Sequence, residues 1–564
     1  MISYESRVRV LTLAKSNKMI NIHWIKIIKI GAVLFFSIAP FFCVNSFGKN
    51  RNPQRRLNTS LTVQMVNEDI DIEIQHLYDN VFNLEFDYTQ KTEDKKIKTP
   101  LFLVVEDFRD MLFILLTEDK KNYEKLAQNE EKRLEELEKF EDKKNKYYEQ
   151  YKWAKAEIKL HWAIVKLSFD EKWASAWRVR QAYKLLLENE EEFPNFIYHK
   201  KSLALLQITL ASVPKKYQWA LDFIGMEADI KNGIKNLEKS ASQEHFFQKE
   251  TLLWKMLFQT YLSEGVLENT EPSKPTAIDL LKKYPSERLV LLASSLVLMK
   301  NESHKTALLA WQNYAKDEQN NPFEFEKKEY SSLEYLLAEL YFYSEQPQKA
   351  KFHYLNFLKN TASVPTRNFI KDSYYKLFLI EWLENEKTDF EYDNNIFFNH
   401  ISQKGTAKTA VDRNAQKFAE LVKENKHLPN KTLYQARILT DGGNYRKASL
   451  ILRQVSQKQL QEWENDEQFE TVLEYYYRRA RVSQKGLDIS SAVYFHKLVI
   501  EYSTLHNQNE IYYFAANSAL QLGFIHKKID KEQARKYFEM AISFKGHQYE
   551  DSITQKAKLA LEKL

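Results

Sequence analysis

The sequence predicts an all-α chain, an α-solenoid of stacked antiparallel helical hairpins. Glycine is the first of three observations behind this: the chain has only 11 in 564 residues, against an ordinary usage near ~7%. Tight sheet hairpins and phosphate-binding loops need glycine at positive φ or at close backbone approach, whereas this chain is rich in Leu, Lys, Glu and Ala. The second is a spacing. A small residue is followed twelve positions later by alanine, and four residues after that by a bulky side chain, in Ser295–Ala307–Trp311, Ala338–Ala350–Tyr354, Ala436–Ala448–Leu452 and Ala480–Ala492–His496; Gly523–Ala534–Phe538 is one residue shorter. Where two helices of a hairpin cross, both need a small residue, and the bulky residue four later shares the face of the second. Third, breaker residues fall between them: Ser344-Glu345-Gln346-Pro347, Asp441-Gly442-Gly443-Asn444 and Gly486-Leu487-Asp488.

The elements follow in order. Residues 30–44 are an apolar run behind Lys26 and Lys29, with Val44 and Ser46 at −3 and −1 of a cut before Phe47. This is the pattern of a signal peptide, and the run is short for a spanning helix, which needs roughly 20 apolar residues. Residues 1–46 are therefore expected to direct export, to a periplasmic or envelope location, with anchoring by 30–44 as the alternative. Met19 opens an ordinary n-region and is a candidate start. Lipidation at Cys43, the single cysteine, is disfavoured because Phe41 and Phe42 replace the small residues it needs.

Residues 47–98 read as a linker and a first helix, whose stripe is Ile70, Ile74, Leu77, Val81 and Leu84. Residues 99–270 read as an N-terminal helical domain. It opens with an apolar helix, 101–117, and continues with a long charged helical arm, 118–165, on which Leu137, Phe140, Lys144, Tyr147, Tyr151, Ala154, Ile158, His161 and Val165 form one stripe. The arm is expected to present a solvated charged face, with a short coiled coil as the alternative. Helices over 172–190, 198–211 and 215–240 follow, broken by Pro194 and Pro214. Pro272 and Pro275 mark a boundary near 270, and 276–564 is the repeat array. Its packing residues are Ser295, Ala307, Ala338, Ala350, Ala436, Ala448, Ala480, Ala492, Gly523 and Ala534, and a poorly marked pair is expected in 368–426.

These units resemble the tetratricopeptide repeat, W-x2-L-G-x2-Y…A-x3-F…P. Leu522-Gly523 with His526, Ala534 and Phe538 matches best, and Leu337-Ala338 with Tyr341, Ala350 and Tyr354 is close. No unit has the leading Trp, and the alanine intervals of 43, 98, 44 and 42 residues exceed the 34 of the simple repeat, so the arms are longer. Residues 212–237, with Pro214, Gly225 and Gly233, resemble a segment of the eukaryotic outer-mitochondrial-membrane tetratricopeptide family linked to inclusion-body clearance. The resemblance implies a helical adaptor and supplies no catalytic residue.

No motif for chemistry is present: no P-loop beyond the echo Gly405-Thr406-Ala407-Lys408-Thr409, no H-E-x-x-H, no C-x-x-C, no G-x-S-x-G and no histidine pair at i, i+4. No catalytic residue, cofactor or metal site is therefore expected. Six basic residues against one acid in 1–46 leave the rest of the chain near neutral, at +1, without the basic stripe of a nucleic-acid binder. The expected function is a non-catalytic scaffold or adaptor for other proteins or peptides. The alternatives are a membrane-linked protein self-associating through 118–165, and an enzyme whose site is assembled from scattered residues. The repeat pattern places Tyr335, Glu339, Leu433, Arg437, Tyr477, Arg481, Leu520 and Phe524 toward a partner groove, with Arg437 and Arg481 suited to an acidic segment, or else solvated or paired with neighbouring acids.

Overall fold

A computed structural model describes residues 72–86, 98–211, 226, 229–262, 273–317, 331–385, 391–506, 513–547 and 549–564. Residues 1–46 and the linker stretch, on which the expected leader falls, most of the 212–237 segment and Pro272 lie outside these. Every regular element among the described residues is a helix. Helices pack mainly against their neighbours in sequence as an α-solenoid of antiparallel hairpins. Among the described residues no helix is long and apolar enough to cross a membrane.

The five spaced units form Arg288–Lys300 with His304–Asp317, Ser331–Tyr343 with Pro347–Asn360, Lys431–Asp441 with Tyr445–Arg453, Phe469–Lys485 with Ile489–Leu505, and Tyr513–His526 with Lys531–Ser543. Ser295, Ala307, Ala338, Ala350, Ala436, Ala448, Ala480, Ala492 and Ala534 are buried, as are Trp311, Tyr354, Leu452, His496 and Phe538 four positions after the alanines. A Cβ on Gly523 would lie 2.5 Å from the Phe538 ring, so this crossing tolerates only glycine. At the first crossing the small residue also bonds to the bulky one, Trp311 Nε1 donating to Ser295 Oγ at 2.9 Å.

Four of the five turns share one backbone solution. Glu302 (φ 54°), Glu345 (φ 64°), Gly443 (φ 81°) and Leu487 (φ 65°), each five residues before the packing alanine, are left-handed. The next residue donates its N–H back to the helix: Ser303 to Leu298, Gln346 to Tyr341, Asn444 to Leu439 and Asp488 to Ser483, at 2.8 to 2.9 Å. This is the Schellman closure, which satisfies carbonyls the helix end leaves open. The second helix then starts on a cap: Asn444 accepts from Lys447 N, Asp488 from Ser491 N, and Pro347 occupies the first turn.

Two hairpins that the alanine spacing does not mark also cross on small residues, and the first of them keeps the left-handed turn. Tyr148–Ser168 turns through left-handed Asp170 (φ 66°) into Lys172–Glu192. Its small pair is Ala163 and Ser175, both buried, with Ser175 Oγ donating to Ala163 O at 2.7 Å. In Ile230–Ser242 and Gln248–Tyr261, Ser240 and Thr251 meet through their hydroxyls at 3.3 Å.

Three expectations are corrected. The stretch 118–165 is not one helical arm: it forms Lys120–Leu126, Gln128–Leu137, a 3₁₀ turn Glu138–Phe140 and a bend before Tyr148–Ser168. It folds back on Pro100–Thr117, so Glu130 and Arg133 are buried rather than solvated. The described residues of 368–426 hold three helices, Ile370–Glu384, Ile396–Gln403 and Ala410–Asn425, instead of a pair. Residue 270 does not divide two cores, because one apolar cluster runs from Ile74 to Tyr434. Arg367 ties the halves together. Its Nη1 donates to Thr117 O at 2.8 Å, and its Nη2 to Leu116 O and to Ser332 Oγ, placing a cation on the open carbonyls of the Pro100–Thr117 helix.

The array also closes on itself. A Cβ on Gly443 would stand 2.1 Å from Glu302 O, and one on Gly442 2.5 Å from Tyr343 O. Tyr445 OH donates to Glu302, Lys485 pairs with Glu302 at 2.5 Å, and Glu345 receives Lys305 at 3.3 Å, Lys447 at 2.5 Å and Asn444. Turns from three hairpins thus meet at one apex.

Candidate functional site

Where the N-terminal helices meet the array there is a partly enclosed cavity of about 130 Å³. Four helices line it: Pro100–Thr117 with Phe108, Leu112 and Leu116; Gln248–Tyr261 with Leu253 and Leu257; Arg288–Lys300 with Leu292 and Leu296; and Ser331–Tyr343 with Leu336. The polar exceptions are Glu118, Glu250, Ser332, Tyr335 and Glu339. Helix Ser331–Tyr343 is buried along its whole length, so a charged residue in it is costly unless paired.

Two buried charge networks flank the cavity. On one side Arg133 binds Asp107 Oδ1 at 2.8 Å, Asp110 Oδ2 at 2.6 Å and Glu106 Oε2 at 3.1 Å. Asp107 also meets His161 Nδ1 at 2.9 Å and accepts from Trp162 Nε1 at 3.0 Å. His161 Nε2 faces Glu157 at 3.8 Å, and Lys201 bridges Glu157 at 2.6 Å and Glu250 at 2.8 Å. Burial alone would raise the Glu157 and Asp110 carboxyls; Lys201 with His161, and Arg133 with Arg109, overturn that and hold both low.

On the other side, Glu339 Oε1 accepts from Lys376 Nζ at 2.6 Å and from Tyr354 OH. Lys376 also faces Asp372 Oδ2 at 3.5 Å, which accepts from Tyr335 OH at 2.7 Å. Phe369, left-handed at φ 71°, stacks on Tyr335 at 4.5 Å. Asp412 holds that bend, accepting from Phe369 N at 2.9 Å and Asp372 N at 3.1 Å. Burial raises the Asp412 carboxyl to about 7, and burial likewise raises Glu339 despite Lys376.

The sequence-predicted groove residues do not share one open surface. Tyr335, Glu339, Leu433, Tyr477, Arg481 and Leu520 are buried; Phe524 is half-buried against Phe538. Arg437 stacks on Tyr434 and lies 3.8 Å from Asp441. Tyr477 OH accepts from Asn517 Nδ2 at 3.0 Å. Only Tyr335 and Glu339 reach the cavity. Arg437 and Arg481 therefore do not form an exposed basic pair: the interior of the hairpin stack is filled by its own side chains. Among the described residues no group of His, Cys, Asp and Glu is placed to hold a metal.

Several histidines are buried neutral. His496 is spanned by Ser518 Oγ at 3.0 Å and Gln484 Oε1 at 3.2 Å. Burial, then Arg481, lowers it to about 3, and burial, then Lys376, lowers His304 to about 3. Burial lowers His199 and His245 to about 4. Because the unfolded chain binds these protons near pH 6.5 and the folded chain does not, their stabilisation is complete above 6.5 and is lost as pH falls toward 4. Asp412 has the opposite sign, gaining stability as pH falls through about 7, and offsets about one of the four. From pH 6.5 to 5 each histidine costs about 2 kcal/mol. The melting midpoint is expected to fall over this range, and less steeply in His496→Gln; a flat profile in differential scanning calorimetry would contradict the assignment.

No protein-family model matches the chain, and no curated protein matches it in sequence.

Proposed function

We propose that the chain is a non-catalytic scaffold of the tetratricopeptide type that holds other proteins, exported by its N-terminal leader. One observation carries the reading. Leu309, Phe352, Leu450 and Tyr494 each follow the packing alanine of a second helix by two positions, and they are 53, 57, 55 and 59% exposed. Single exposed apolar side chains are ordinary, but the same site filled by a large apolar residue in four hairpins is a repeated surface, of the kind used to grip a partner. The first-helix positions are occupied by internal packing, which moves the expected binding surface to the second helices. The ionisable groups around the cavity are engaged in ion pairs and hydrogen bonds that hold helices together, which favours a structural role for them over acid–base work.

The test is the quadruple variant Leu309→Ser/Phe352→Ser/Leu450→Ser/Tyr494→Ser in cross-linked capture from the native cells. These residues are exposed, so melting is expected to change little, while proteins captured by the parent chain are expected to be lost by about tenfold or more, a difference of ~1.4 kcal/mol. Undiminished capture by a folded variant would remove the proposal. Export is checked separately, by cell fractionation and N-terminal sequencing of the mature chain, with Phe47 expected first.

A further inference from the structure

The cavity between the N-terminal helices and the array has polar residues in its lining, yet their bonds are made to the protein. Ser332 Oγ donates to Leu116 O at 3.1 Å and accepts from Arg367 Nη2 at 2.8 Å. Tyr335 OH donates to Asp372 Oδ2 at 2.7 Å. Glu250 Oε1 takes Lys201 Nζ at 2.8 Å and Trp254 Nε1 at 3.2 Å. Glu118 Oε2 accepts from Asn368 N at 3.1 Å. Glu339 is wholly buried: its Oε1 takes Lys376 and Tyr354, and its Oε2 is closed off. The remaining wall is apolar, with Phe108, Leu112, Leu253, Leu292, Leu296 and Leu336 at its centre, and no lysine or arginine among the described residues lines it. An ordered water needs roughly two to four polar partners, and an engineered apolar cavity of ~150 Å³ that lacks them stays dry and admits benzene. At about 130 Å³ this cavity is of that size.

We propose that this cavity binds a small neutral apolar molecule, a hydrocarbon of benzene to toluene size. Such a molecule replaces void with dispersion contacts to the leucines and asks for no hydrogen bond. A hydroxyl on the same body gives up its water and finds the lining oxygens engaged, which costs affinity. A carboxylate finds no cation and three acids. An ammonium finds the buried carboxylates of Glu250 and Glu339 already paired with Lys201 and Lys376. Two of the four lining helices, Pro100–Thr117 and Gln248–Tyr261, precede residue 270, and two, Arg288–Lys300 and Ser331–Tyr343, follow it. An occupant therefore adds contacts across the junction of the two halves, and by binding only the folded chain it raises the melting midpoint.

The test is isothermal titration of the full chain with four probes of similar size: toluene, phenol, benzylamine and benzoate. Toluene is expected to bind saturably and at least about tenfold tighter than phenol, equivalent to ~1.4 kcal/mol, with no saturable binding of the two ions. Two variants at half-buried Leu292 act in opposite directions. Leu292→Trp fills the cavity and is expected to abolish toluene binding, together with the rise in melting midpoint that toluene gives the parent chain. Leu292→Ala enlarges the cavity and is expected to shift its preference from toluene to naphthalene. If the tryptophan variant fails to fold by circular dichroism, the alanine variant locates the site; if both fail, the probe series on the parent chain decides alone. Phenol or either ion binding as tightly as toluene, absence of saturable toluene binding, or unchanged toluene binding in folded Leu292→Trp would overturn the assignment.

Discussion

Lys201→Met is expected to destabilise the protein by about 3–5 kcal/mol, the loss typical when one partner of a buried ion pair is removed. Lys201 is 1% exposed and lies between Glu157 and Glu250, themselves 2% and 5% exposed, with its ammonium 4.7 Å from the centre of the Phe247 ring. Methionine fills the space but leaves two carboxylates facing each other without a cation. Part of the strain leaves by protonation, since burial raises the Glu157 carboxyl once Lys201 no longer lowers it. The defect is therefore expected to be worst at neutral pH and milder near pH 5, against the histidine-driven trend of the parent chain. Replacing the triad, Lys201→Met/Glu157→Leu/Glu250→Leu, is expected to recover much of the loss, because an uncharged core avoids desolvation altogether. The measurement is the first unfolding transition in urea. A single variant within about 1 kcal/mol of the parent would show that Lys201 is hydrated and the network is not load-carrying.

The second large effect is expected at Gly443→Val. Two costs combine there. A β-branched residue at φ 81° pays about 1–3 kcal/mol in backbone strain. Its Cβ would also stand 2.1 Å from Glu302 O, which no rotamer relieves. The turns must separate, releasing Tyr445 and Lys485 from Glu302, and Asn444 and Lys447 from Glu345. The expected readout is a larger radius of gyration in small-angle scattering, with new protease cleavage at residues 441–444. Gly443→Asn separates the two costs. Asparagine accepts the left-handed conformation readily, so if close approach dominates it fails almost as badly as valine. An asparagine variant with the parent's dimensions would place the whole cost in the backbone angle and deny the contact.

The hairpins were legible in the sequence wherever alanine filled the crossing position of the second helix. Where serine or threonine does the same work, as in Ala163 with Ser175 and Ser240 with Thr251, the signal is hidden, because these residues also populate surfaces and caps. The left-handed residue five positions before the small one recurs at Asp170, in the turn from Tyr148–Ser168 to Lys172–Glu192, but not before Thr251. The folding back of 118–165 was not legible. Its Lys and Glu content reads as solvated, yet Arg133 finds three carboxylates on a helix some 25 residues away, Asp107 at 26 and Asp110 at 23. The cavity could not be read at all, since four helices spread over more than 200 residues contribute to it. The buried pairing was hinted at: Glu334 and Glu339 interrupt the otherwise apolar SSLEYLLAELYFY, and they pair with His353 and Lys376. Tyr335 and Glu339 came from the groove pattern and reach the cavity for a different reason, since first helices face inward here as well.

The meeting of the three turns at Glu302, Glu345 and Gly443 bears on how such a chain could have changed over time. An open solenoid contacts only its nearest neighbours, so units can be gained or lost by duplication and deletion with little consequence elsewhere. Here the spacing from Glu302 to Gly443 is enclosed in a ring, and inserting or removing one hairpin inside it would carry the glycine turn past the carbonyl it must touch. Growth of the array is confined to the segment beyond Lys485, where no such closure is made among the described residues, and the number of units between 302 and 443 behaves as a fixed count.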